Sequence, residues 1–353
     1  MEVKKITVAF LYNVRRKYPD PNDIRTQMEV DFDDPPTSKA MIRHLKTHGF
    51  NVIPIEANKK AYIKLHQNQK KIDIAFNYSE GLYGEDRESH LPAMLEMLKI
   101  PYTGSSPLTQ CLVFNKAKAK QILTANGIPT PPFQVFQTGK ESLDPSLLFP
   151  LFVKPTCHGS SAGIDNNSIV YDEKSLYRQV KYIIDNFNQP ALVELYLDGR
   201  EFSVPMLGNP PRILPIIEPD FSLLPPQYQP IDSFEVKWIH EVAIVDKGDS
   251  ENEFHLKCPA DIDIKLKKKI EDICLQAWNA LGIKDFCRID IRCDRENNPY
   301  ILEVNSPAGL IPPEISKASY FPMAARMIGM DYQNLLKTII SSALKRYEKN
   351  HLQ

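Results

Sequence analysis

Short apolar runs and helix-period stretches alternate over the first hundred residues. The runs Ile6 to Leu11, Val52 to Ile55 and Ile72 to Phe76 predict strands, and between the first two, Pro36 to His48 has helical spacing closed by Gly49. A more polar helical stretch follows the second run. The pattern is βαβαβ. Such a unit buries its strands under helices and gathers ligand groups at the carboxyl ends of the strands, here Leu11 to Arg16 and Phe76 to Asp86.

Past Gly104 the pattern changes. Ser106-Pro107 reads as a helix cap and first helical residue, and Asn115 to Ala125 as a second helix stopped by Asn126-Gly127. Between Phe133 and Leu207 short strands surround one helix, Glu173 to Phe187. A proline-rich loop region follows, then a helix from Asp261 to Leu281, a hairpin from Phe286 to Val304 turning at Glu296-Asn297-Asn298, and helices from about Phe321 to Lys349. The expected units are residues 1–104, 105–207 and 208–353. No internal repeat or low-complexity segment interrupts them.

Composition narrows the functional classes. With 353 residues, 42% hydrophobic and 25% charged, the chain can bury several cores and has neither a disordered nor a membrane-embedded composition. A net charge of -1 supplies no overall field for nucleic acid or an anionic membrane. No apolar stretch is long enough to span a bilayer, and no signal-peptide pattern opens the chain. Six cysteines lie scattered without a Cys-x-x-Cys pair, as expected of reduced cytoplasmic thiols rather than a zinc site or disulfide framework. The 29 prolines outnumber the 14 glycines and cluster where elements join.

Three constellations carry chemistry. Lys154 ends a predicted strand and leads into Thr156-Cys157-His158-Gly159-Ser160-Ser161-Ala162-Gly163, a small-residue loop able to present N–H groups and hydroxyls to phosphates. A plain hairpin connection explains that segment equally well, and no Walker lysine motif occurs. On the later hairpin, Arg288-Ile289-Asp290 and Glu303-Val304-Asn305 alternate so that the polar residues share a face. Two carboxylates and an amide suit Mg²⁺, and Arg288 is left to clamp an anion; an ordinary solvated face with one ion pair is the competing reading. Third, Glu194-Leu195-Tyr196-Leu197, a glycine turn at Gly199 and then Glu201 could meet an adenine edge and ribose hydroxyls, or be simple core strand. The order of all three over about 200 residues favours the nucleotide reading.

On these residues the chain resembles the ATP-grasp superfamily, and within it the D-alanine–D-alanine ligase group, from about Phe76 to Tyr332. The resemblance implies an α/β, ATP-grasp fold with an N-terminal Rossmann-like subdomain, and ATP held between the central and C-terminal units. A substrate carboxylate would be phosphorylated and an amine would attack the acylphosphate, giving an amide, ADP and phosphate. Carried over, Lys116 and Lys154 contact phosphates, while Gly159, Ser160 and Ser161 close over them. Glu194, Leu195 and Leu197 hold adenine, and Glu201 holds ribose. Asp290, Glu303 and Asn305 ligate two Mg²⁺ ions, with Mn²⁺ able to substitute, and Arg288 stabilises the oxyanion. Lys237 falls on the mobile loop's phosphate-contacting lysine, and Ser319 on a hydroxyl for the second substrate's carboxylate. A homodimer through the N-terminal unit is implied as well.

The departures concern the substrate. Where the group has a glutamate for the first amino acid's ammonium, this chain reads Asn13-Val14-Arg15-Arg16, and Glu80 stands for a histidine. Trp238 replaces the mobile-loop tyrosine, and Ser306-Pro307-Ala308-Gly309 replaces a Pro-Gly step. An ammonium left without its carboxylate costs several kcal/mol, which argues against D-alanine as first substrate. Arg15 and Arg16 could instead meet an extra anion or lie on a solvated loop, and Glu80 could supply a relocated ammonium contact. Trp238 either shields the acylphosphate or packs. His158 is read as an exposed loop histidine, Cys157 as no nucleophile, and Glu85 as orienting a loop. The expected activity is amide formation between small amino acids or a short peptide. A D-alanine–D-alanine ligase with a rebuilt ammonium site and a non-catalytic ATP-binding regulator are the alternatives.

Overall fold

The computed structural model describes residues 5–20, 23–240 and 256–350. The N-terminal sheet is parallel, ordered β2-β1-β3, with β1 Thr7–Tyr12, β2 Asn51–Glu56 and β3 Ile74–Tyr78. The helices Pro35–Thr47, Ala61–Asn68 and His90–Met97 belong to this part of the chain. Both faces of the sheet are covered, as a parallel sheet requires. One face packs Phe10 and Phe76 with Leu335 and Ile339 of the C-terminal helix Tyr332–Asn350; the other packs Ala9, Leu11 and Ala75 with Leu65 and Leu95. The last helix therefore returns to the first sheet.

The second sheet is antiparallel, ordered β4-β7-β5-β6, from Phe133–Phe136 (β4), Leu151–Pro155 (β5), Ile169–Val170 (β6) and Ala191–Leu195 (β7). Helix Glu173–Phe187 covers it, spanning the range its sequence predicts. Asp172 and Ser175 form a reciprocal capping box at its start, and Asn188 closes it in the left-handed region at φ 52°.

The third sheet is ordered β13-β12-β8-β9, from Glu201–Leu207 (β8), Arg212–Ile213 (β9), Phe286–Cys293 (β12) and Pro299–Asn305 (β13). Phe202, Val204, Ile289, Ile291 and Ile301 pack in one core with helix Ile264–Ala280 and with Leu123 of helix Lys116–Ala125. A two-stranded pair, β10 Glu218–Pro219 with β11 Leu256–Lys257, lies in the proline-rich connection, whose residues 241–255 fall outside those described.

The elements of the expected unit 105–207 are shared between two sheets: β8 pairs with β12 in the third sheet, and Val113 and Leu123 join that sheet's core. Gly199 makes the crossing: its N–H donates to the Cys293 carbonyl at 3.1 Å, and a Cβ there would lie 2.5 Å from that oxygen. Strand pairing therefore argues for a join between β7 and β8.

Candidate active site

Antiparallel pairing sets the polar face of the third sheet. Arg288 lies opposite Asn305 and Asp290 opposite Glu303, while on the other side Asp290 faces Ser203 and Arg292 faces Glu201. A bulge after the Asp290–Glu303 pair leaves Leu302 without a partner. Asp290 is the hub. It accepts from Ser203 Oγ at 2.6 Å, from Arg288 Nε at 2.9 Å and Nη2 at 2.7 Å, and from Asn305 Nδ2 at 2.9 Å. Burial lowers the Arg288 pKa, but Asp290 and Glu303 outweigh it and hold the guanidinium charged.

Glu303 reaches across to the helix Lys116–Ala125, where Lys116 Nζ stands 3.3 Å from its carboxylate and also donates to the His158 carbonyl. Asn115 fixes that lysine by capping the helix, its side chain accepting from Lys118 N. Burial pushes the Glu303 carboxyl up, but Lys116, Lys154 and Arg288 hold it at about 2. Lys154, at the end of β5, pairs with Glu194 at 2.6 Å, and Lys120 takes the same carboxylate at 2.7 Å. All three side chains of this triad are buried.

The loop after β5 carries two strained residues and is tied to the 232–238 segment. Ser160 and Ser161 sit in the left-handed region at φ 50° and 62°, a strain that non-glycine residues tolerate where function or surroundings demand it. Ser161 Oγ donates to the Asp232 carbonyl at 2.7 Å, and Trp238 Nε1 donates to the Ser160 carbonyl at 3.0 Å. Gly159 abuts Asp31, whose Oδ1 would lie 2.7 Å from a Cβ. Lys237 stands 3.6 Å from Asp232.

The substrate-side residues gather at the ends of β1 and β3. Arg15 is buried: its Nε donates to the Phe32 carbonyl at 2.9 Å, Asp34 lies at 3.6 Å, and the guanidinium stacks 4.4 Å from the Trp238 ring centroid. The solvated-loop reading therefore fails for Arg15, while Arg16 is exposed and paired with Glu56. Glu80 N–H donates to Asn13 Oδ1 at 2.9 Å, and the Glu80 carbonyl accepts from Arg87 Nε at 3.0 Å. Arg87 also pairs with Asp31. Burial, then the neighbouring carboxylates, drive Glu80 far above the usual range; burial lifts Glu88 to about 8.

Other expected residues are engaged within the fold. Glu201 pairs with Arg292 at 3.1 Å, and burial raises its carboxyl to about 7 against that arginine. The Leu195 N–H donates to the Pro132 carbonyl at 2.9 Å, so this amide is committed to the backbone, and Leu197 is buried at the following turn. Ser319 Oγ accepts from Ile311 N at 3.1 Å ahead of helix Tyr320–Met327. Gly309 is exposed, with nothing near its Cβ direction.

Comparison with known proteins gives this geometry its family. Residues 122–341 match the model described as the D-ala D-ala ligase C-terminus. A D-alanine–D-alanine ligase of Pelotomaculum thermopropionicum is 30% identical over 88% of this chain and 91% of its own. The chain belongs to the D-alanine–D-alanine ligase family. The ligase of Bordetella pertussis is 34% identical over 74% of this chain and 76% of its own. An uncharacterised protein of Sinorhizobium fredii, y4sG, is 37% identical over 78% and 76%. The crystal structure of the Bacillus anthracis ligase complexed with ATP superposes with a TM-score of 0.71, at 24% identity, over 98% of this chain and 99% of that one.

This chain is accordingly an ATP-grasp enzyme, an ATP-dependent ligase whose family chemistry uses ATP and a divalent metal. Among the described residues no three histidine, cysteine or carboxylate side chains cluster as a metal cage. Asp290, Glu303 and Asn305 bring two carboxylates and an amide oxygen onto one face of adjacent strands. That hard-oxygen set, ionised at Glu303 and shared by two adjacent strands, fits a Mg²⁺ that keeps other positions for phosphate oxygens.

The sequence reading missed several residues. Lys120 shares Glu194, and its i+4 spacing from Lys116 on one helix could have signalled it. Arg292 follows Asp290 by two on the same strand, so period-two alternation places it on the same face. Asp31 and Arg87 carry no local signal. His158 reads as an exposed loop residue in the sequence, yet it is buried against Phe187 with Nδ1 3.9 Å from Asp31, because the 24–32 segment folds over the loop. Among the described residues no helix is long and apolar enough to cross a membrane.

Proposed function

We propose that the protein joins the carboxylate of one small amino acid or short peptide to the amine of another, with ADP and phosphate as by-products. The observation that carries this reading is the convergence of Arg288, Asp290, Glu303 and Asn305 with Lys116 across one sheet-to-helix interface. In this reading Lys116 and Lys154 hold the ATP phosphates, and the Gly159-Ser160-Ser161 loop covers them. Glu194 and Leu197 border the adenine, and Glu201 receives ribose hydroxyls. Asp290, Glu303 and Asn305 hold two Mg²⁺ ions. When bound, the metal neutralises charge developing on the phosphates during transfer.

The substrate carboxylate oxygen attacks the γ-phosphorus as the bond to ADP breaks. The amine nitrogen then attacks the acyl carbon, loses a proton, and phosphate leaves. Arg288 is the group that faces the tetrahedral oxyanion; already fixed by Asp290, it needs little reorganisation as charge appears. Trp238, bonded to the Ser160 carbonyl and stacked on Arg15, ties the loop to the N-terminal unit and screens the acylphosphate from water. Ser319 and Gly309 border the second substrate.

The D-alanine pair is disfavoured because the end of β1, where the family has an ammonium-binding glutamate, carries no glutamate here and holds a buried cation, Arg15. An ammonium finds its partner at Glu80 instead, whose carboxyl, held neutral by burial and the neighbouring carboxylates, ionises as the cation arrives. The test is Mg²⁺- and ATP-dependent phosphate release across D- and L-amino acids and dipeptides, singly and in pairs. Release that requires one acid and one amine other than two D-alanines is expected. Fastest turnover with D-alanine alone would overturn the substrate assignment, and ATP binding without release across the panel would leave a regulator.

A further inference from the structure

A second basic feature lies away from the candidate active site, at the other end of β12. A cavity of about 540 Å³ opens between the C-terminal helix Tyr332–Asn350 and the turns at Asn209 and Lys284. Its basic lining is Lys284, Lys337, Lys345, Arg346 and Lys349, and no carboxylate lines it among the described residues. For a chain of net charge -1 that is a local concentration of one sign.

Their pairing separates the arginine from the lysines. Arg346 is neutralised by Asp285, a fully buried carboxylate 2.8 Å from its guanidinium that also accepts from Gly104 N at 2.8 Å. The four lysine ammoniums make no ion pair and no side-chain hydrogen bond to protein among the described residues. Lys337, Ser341, Lys345 and Lys349 succeed one another at helical i+4 steps, so three like charges stack on one face, an arrangement that costs helix stability. Attraction to the helix's negative C-terminal end accounts for Lys349. It does not account for Lys337 near the start of the helix, nor for Lys284 on the opposite wall.

That wall is fixed in place. Lys284 N–H donates to Ser105 Oγ at 3.1 Å, and Asn209 Nδ2 donates to Ser342 Oγ at 3.0 Å. Ser341 adds a hydroxyl between the lysines, while Thr338 Oγ1 donates to the Asn334 carbonyl at 2.7 Å and Ser342 Oγ to Asp285 at 3.5 Å. Point-charge ammoniums on two walls with a hydroxyl between them are phosphate-binding chemistry.

We propose that this cavity is a second anion site, binding a small ligand that bears two or more phosphate groups. It shares no residue with the nucleotide positions, so its ligand binds together with ATP and not in its place. The proposal is independent of which substrates the ligase joins.

The experiment is equilibrium dialysis of the full chain against labelled pyrophosphate, with the nucleotide site filled by a non-hydrolysable ATP analogue. Saturable binding of one pyrophosphate per chain is expected, weakening as salt is raised through the screening range. Lys337→Ala and Lys345→Ala should each weaken it about tenfold, the size of one charge-assisted contact, with affinity for the analogue unchanged. Lys284→Ala, on the other wall, should act alike, and all three exposed changes leave the fold intact by circular dichroism. Displacement by the analogue, wild-type binding in the triple variant, or no saturation at millimolar pyrophosphate would each overturn the proposal.

Discussion

Replacing Glu194 with glutamine should destabilise the enzyme through the two lysines it leaves behind. The carboxylate is buried between Lys154 at 2.6 Å and Lys120 at 2.7 Å. Each attraction is about 6 kcal/mol at an effective dielectric near 20, and the cost of desolvating the ions offsets most of it. Burial would raise the Glu194 pKa, yet the two lysines bring it below its ordinary value. Burial pushes Lys120 down to about 8, with Glu194 opposing and Lys154 assisting. Without Glu194 two ammoniums face each other in a dry site, and the expected loss is about 3–5 kcal/mol. Glu194→Gln with Lys120→Met removes one of the two stranded charges and their mutual repulsion, so the double variant should be more stable than Glu194→Gln alone. Urea unfolding followed by tryptophan fluorescence on all four proteins gives a double-mutant cycle, with an expected coupling of at least about 2 kcal/mol. A coupling below about 0.5 kcal/mol would refute the claim that this triad is a single electrostatic unit.

Asp290→Asn and Glu303→Gln should each lower turnover by about 10³-fold with near-native circular dichroism, since each removes a proposed metal carboxylate; normal turnover in both would refute that assignment. Trp238→Ala breaks the 3.0 Å bond to Ser160 and unstacks Arg15. Acylphosphate should then leak to water, and the ratio of phosphate released to amide formed should rise above one; an unchanged ratio would exclude the screening role. Burial raises Asp33 to about 6, with Tyr78 and Arg15 opposing and Asp34 assisting. The native state thus binds the extra proton between about pH 4 and 6, and stability falls as pH rises through that window. Asp33→Asn should therefore gain up to about 3 kcal/mol at pH 8 and nothing below pH 4, read from melting across pH; a gain independent of pH would contradict this.

Much of this architecture was legible because its signals are local. The Asp172 capping box and amphipathic spacing delimit helix Glu173–Phe187, and period-two alternation on either side of a polar turn places Arg288, Asp290, Glu303 and Asn305 on one face. What escaped depends on contacts distant in sequence. Alternation cannot say that β8 leaves the sheet of β7, because only the close approach of Gly199 to Cys293 decides it. Residues 24–34 have no helical or strand period, yet Val30 enters the core of the second sheet and Gln27 Oε1 accepts from Gly163 N at 3.0 Å. That crossing buries His158 and brings Asp31 against the loop after β5, so a residue that looks solvated in the sequence is packed inside the fold.

The central claim is that a carboxylate is activated by phosphoryl transfer before the amine attacks. Isotope transfer tests it most directly: the acid substrate found in the phosphate-release screen is labelled with ¹⁸O in its carboxylate, and the released phosphate is analysed by mass spectrometry. An acylphosphate route predicts one ¹⁸O atom in phosphate for each amide formed. Amide formation that leaves all phosphate unlabelled would contradict the account.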